Sequence, residues 1–188
     1  MLLTRKLKMG FFGFTILSVA ALGTSAWAES RMQSEDAQRQ LAERLAEFKR
    51  TASQLQREAD TLNAGRNSRV SWHTHSYHLG NITDHVNRLG KSLAELEALK
   101  AEASENQRIA IEHARPHLVS IAQSTTRAIE LLKENHRSFH FPEYGEVASD
   151  IYDHVDTLQM KLDAILDFEN AKARLDALEL QPMSSEGS

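Results

Sequence analysis

The chain has 188 residues, with 22 Lys and Arg against 26 Asp and Glu, nine His, eight Gly, three Pro and no Cys, a length that suits one domain or two small ones. The lack of Cys excludes disulfide scaffolds, C-x-x-C-H haem attachment, thiolate zinc sites, iron–sulfur clusters and cysteine nucleophiles. So few Gly and Pro cannot punctuate a strand-and-turn fold about every 8–12 residues, while 41% hydrophobic and 26% charged residues speak against full disorder.

Residues 1–28 read as a secretory signal peptide. Arg5, Lys6 and Lys8 open the chain without an acid, Met9–Gly23 is apolar, and Ala26-Trp27-Ala28 is an A-x-A cleavage pattern before Glu29. The apolar stretch of 15 residues is shorter than the ~20 a spanning helix needs. With no twin Arg and no Cys to carry a lipid, the expected product is periplasmic or secreted and does not insert into the membrane after signal removal. Removal takes away three Lys/Arg and no acid, leaving 19 basic against 26 acidic side chains, a net charge of −7. That balance disfavours nucleic acid and anionic membrane as partners.

The remainder predicts four helices, at about 34–63, 71–103, 104–138 and 142–180, before a tail over 181–188 whose Pro, Ser and Gly predict disorder. In the first, Leu41, Leu45, Phe48, Ala52, Leu55, Ala59 and Leu62 recur with the 4-3 spacing of a heptad seam. The segment Asn63–Ser68 carries Gly65 and two Asn and reads as a turn. The second seam is Trp72, His75, Leu79, Ile82, Val86, Leu89, Leu93 and Leu96. Gly80 and Gly90 interrupt it at a cost of about 1 kcal/mol each relative to Ala, which a bend or a close helix approach would explain. Ser104 and Gln107 have capping-box spacing and open the third helix, whose seam is Ile111, Ala114, Leu118, Ile121, Thr125, Ala128 and Leu132. Pro116 falls inside this unbroken phase and predicts one kinked helix instead of two. Pro142 suits the first turn of the fourth helix, which carries Val147, Ile151, Val155, Leu158, Leu162, Ile165, Phe168, Leu175 and Leu178. Short connections make this an all-α, antiparallel up-down-up-down four-helix bundle with coiled-coil-like heptad seams. An extended coiled-coil assembly is the alternative architecture.

The histidines are the chemically suggestive feature: His73, His75, His78, His85, His113, His117, His136, His140 and His154. Pairs such as His75/His78, His113/His117 and His136/His140 share a helical face and could chelate zinc, copper or nickel. Folding the sequence as hairpins places His78 level with about Ala128 and Tyr152, so that His75, His78 and His154 share a layer beside Thr125 and Thr126. His113 and His117 fall toward the other end. The layer reads first as a structural polar layer that fixes register, and second as a metal site. His73, His85 and His113 fall at flanking or outer positions and are expected to be solvated.

Known metal and catalytic patterns do not fit. No Glu has a His three residues after it, as a di-iron carboxylate bundle requires, and Met32 and His154 are misplaced for axial haem ligands. No G-x-S-x-G, H-E-x-x-H, kinase or phosphate-loop signature occurs. The Asn81-Ile-Thr83 sequon lies mid-helix. In architecture alone the chain resembles the small helical stress chaperones of the periplasm, but lacks their L-T-x-x-Q motif. The expectation is an exported, non-catalytic bundle without cofactor or resident metal. It would act by binding a protein partner or by self-association, with a histidine-based metal binder on His75, His78 and His154 as the alternative.

Overall fold

The computed structural model describes residues 23–66, 70–134 and 142–179, with side chains described at 36–66, 70–134 and 142–178. Every regular element among these residues is helical: α1 Gly23–Gly65, α2 Trp72–Ala98, a 3₁₀ turn Lys100–Glu102, α3 Glu105–Glu134 and α4 Pro142–Glu179. The chain divides into two compact units, Met1–Glu35 and Asp36–Ser188. The described part of the first is the beginning of α1. Most of the expected signal peptide, together with His136, His140 and the 181–188 tail, lies outside the described residues.

Within Asp36–Ser188 the starts of α2, α3 and α4 follow local chemistry, whereas α2 ends at Ala98, short of the expected 103, and passes into the 3₁₀ turn. Ser71 caps α2 by accepting from the Thr74 amide at 3.2 Å. At α3 the capping box is complete: Ser104 Oγ accepts from the Gln107 amide at 3.2 Å, and the Ser104 amide donates to Gln107 Oε1 at 2.9 Å. Pro142 is the first residue of α4, where its missing N–H costs no helical hydrogen bond. Pro116 sits inside one continuous α3, as the unbroken seam predicts.

Side-chain pairs close the four helices into a ring. Arg44 meets Glu95 at 3.0 Å and Glu58 meets His78 at 2.7 Å between α1 and α2. Trp72 donates to the Leu132 carbonyl at 3.1 Å and Arg115 to Glu97 at 3.0 Å between α2 and α3. Arg127 meets Glu143, and Lys161 meets His117, between α3 and α4. Lys49 meets Asp163 at 2.9 Å and Gln56 meets Asp156 at 3.1 Å between α4 and α1. Along each neighbouring pair the residue numbers run in opposite order.

The core is built mainly from the predicted seams. All seven seam residues of α1 and all seven of α3 are buried. In α2 the buried stripe is His75, Leu79, Ile82, His85, Leu89, Leu93 and Leu96; His85, expected in solvent, is buried, and Val86 is half-buried. Gly80 and Gly90 face open space, with nothing within 4 Å of an added Cβ. Of the two explanations, a bend or a close helix approach, the second does not apply at either glycine. Tyr144 and Ala148 of α4 join Ile151, Val155, Leu158 and Leu162 inside.

Candidate functional site

The expected histidine layer does not form. His75 is 2% exposed and its Nδ1 shares a 2.9 Å hydrogen bond with Tyr144 Oη, ring edge to ring face. His78 turns to α1 and hydrogen-bonds Glu58. His154 stands beside His117, with ring centroids 6.1 Å apart. Tyr144 and His154 are ten residues apart on one helix, about 15 Å at 1.5 Å per residue, so His154 cannot join His75. The error is one of register. The α3–α4 side-chain pairs set Arg127 against Glu143, whereas a turn centred at 140 would have set it against Asp153. Thr125 is buried and bonds the Ile121 carbonyl at 2.6 Å, while Thr126 is exposed and bonds Ala122. His73 and His113 are exposed, as expected.

Each buried or half-buried histidine has an engaged neighbourhood. Burial, then the Arg88 guanidinium donating to Nδ1 at 2.8 Å, holds His85 below the usual histidine range against Glu58 and Asp84. Burial, then the Lys161 ammonium, with His154 and His113 beyond, does the same for His117. Lys161 donates to His117 Nε2 at 3.1 Å and so occupies the lone pair a metal ion would need. Glu58 is pushed up by burial, but hydrogen bonds from His78 and Asn81 outweigh it and leave the carboxyl below its usual range. Burial raises the Tyr144 phenol. Among the described residues no group of three or more His, Asp or Glu is placed to hold a metal ion.

The end of α4 departs from the pattern of the rest of the bundle. Phe168, Leu175 and Leu178, apolar like the buried residues before them on α4, are 62%, 61% and 62% exposed. The cause is a change of phase. Leu158, Leu162 and Ile165 are spaced 4 and 3, and continuing that rhythm reaches Glu169, Lys172, Asp176 and Glu179, all charged. The apolar residues lie one position earlier, rotated by about 100°. Two successive steps of three, from Leu162 to Ile165 to Phe168, are the signal in the sequence.

The ring also leaves this segment uncovered. Ser104, just before α3, hydrogen-bonds Glu169, so α4 beyond Glu169 extends past the connection between α2 and α3. Carrying the Lys49–Asp163 pairing along α1 sets Leu175 level with Ala37, in a stretch Asp36–Gln40 that is otherwise polar. Other exposed apolar side chains are Tyr77, Val119 and Met160, the second beside an open groove of about 350 Å³ lined by Gly90, Leu93, Leu118 and Ala122.

No protein-family model matches the chain, and no curated protein or solved structure matches it. No helix among the described residues is long and apolar enough to cross a membrane.

Proposed function

We propose that the protein is exported and acts without catalysis, as a helical-bundle module that binds another protein chain through the C-terminal part of α4. The observation that carries this reading is the phase change in α4. Charges occupy the positions that would extend the chain's own core, while Phe168, Leu175 and Leu178 form a stripe directed elsewhere. An apolar stripe rimmed by charge is the pattern of an interaction surface. Export rests on the basic start, apolar middle and A-x-A end of residues 1–28.

Site-specific photo-crosslinking in the expressing cell tests the reading. A photoreactive residue at Phe168 should give a protein adduct, whereas one at Met160, on the same helix and 57% exposed, should not. The absence of any adduct from Phe168, or equal labelling from both positions, would defeat it.

A further inference from the structure

We infer that the chain which covers this stripe is a second copy of the same protein, the two α4 ends running parallel as a two-stranded coiled coil; this rests on the reading of the α4 end as a protein-contact surface. Placing Phe168 at heptad position a puts Ala171 at d, Leu175 at a and Leu178 at d. That seam has the 3-4 spacing of a coiled coil, with Leu at its last d position.

The flanking charges choose the partner and its direction. The g positions are Asp167 and Arg174, and the e positions are Lys172 and Glu179. In a parallel dimer each g residue faces the e residue five places on in the other copy. Asp167 then meets Lys172, and Arg174 meets Glu179, each pair occurring twice by symmetry. Both are attractive. An antiparallel pairing centred on Ala173 would instead bring Lys172 beside its own counterpart and Arg174 beside its own. Asp167 already bonds Lys49 at 3.2 Å, but Lys49 also holds Asp163 at 2.9 Å and keeps that partner when Asp167 turns outward. The segment is short, but α4 is already nucleated by its packed half, so no nucleation cost attaches to extending it.

Sedimentation of the purified protein over a concentration series tests the dimer. The unaltered chain should pass from monomer to dimer, and Leu175→Asp should abolish the dimer without changing helicity. Arg174→Glu alone and Glu179→Arg alone should each weaken association about tenfold, because two pairs per dimer turn from attraction to repulsion. Mixing these two variants should restore dimers, since each then presents the charge the other lacks. A monomer at every concentration, a dimer that survives Leu175→Asp, or a mixture that stays monomeric would overturn the proposal. If the dimer fails while Phe168 still crosslinks to a different protein, self-association is wrong and the contact reading stands. If Phe168 gives no adduct at all, both fall.

Discussion

Gly80 and Gly90 of α2 have open space where a Cβ would go, so Ala at either position adds helix propensity without a clash. Each substitution should stabilise the fold by about 0.5–1 kcal/mol, a rise of about 2–4 °C in Tm per kcal/mol for a domain of this size, read by thermal unfolding. Loss of stability would mean the glycines serve a close contact after all. Tyr144 has the opposite character: its hydroxyl meets His75 Nδ1 in the interior. Tyr144→Phe removes one partner of a buried pair and should cost about 1–3 kcal/mol. His117 and His85 are held below the unfolded histidine value of about 6.5. The unfolded chain then binds protons more readily, so their contribution is complete above about pH 6.5 and is lost as pH falls through the lowered folded values. Glu58, lowered from its carboxylate value, adds a separate loss below about pH 4.5. Replacing His117 by Gln should flatten the decline in Tm between about pH 7 and 5, and an unchanged slope would contradict the assignment.

Along the helices, the heptad spacing made most of the core legible. Leu45, Leu55, Leu89, Leu93, Ile121, Leu132, Ile151 and Leu158 are all buried as the seams predict. Truncating Leu55, Leu89, Ile121 or Ile151 to Ala should cost about 2–5 kcal/mol each, measured by denaturant unfolding. The capping box at Ser104 and the start of α4 at Pro142 were equally legible, because they depend on local chemistry. What depends on register between helices was not. The position of His154 required adding two hairpin turns in sequence, and the offset between α3 and α4 moved it by turns of helix. His85 and Val86 are neighbours, and helical geometry lets either approach the core. At the end of α4 the signal lay in the spacing, two successive steps of three from Leu162 to Ile165 to Phe168.

At the scale of the molecule, four amphipathic helices close a ring whose interior is satisfied by its own seams, and one helix carries an apolar stripe beyond that interior. If residues 1–28 act as the export signal, protein recovered from the cell envelope has an intact mass beginning at Glu29; recovery of the full chain in membranes would contradict this. The division of α4 into a self-sufficient half and a partner-seeking half is open to direct measurement by hydrogen–deuterium exchange at two protein concentrations. Amides around Ile151–Leu162 should be strongly protected in both. Amides around Ala171–Leu178 should exchange rapidly in dilute protein and slow in concentrated protein, as the second chain covers them. Equal and strong protection of both halves in dilute protein, or a C-terminal half that never gains protection, would contradict it.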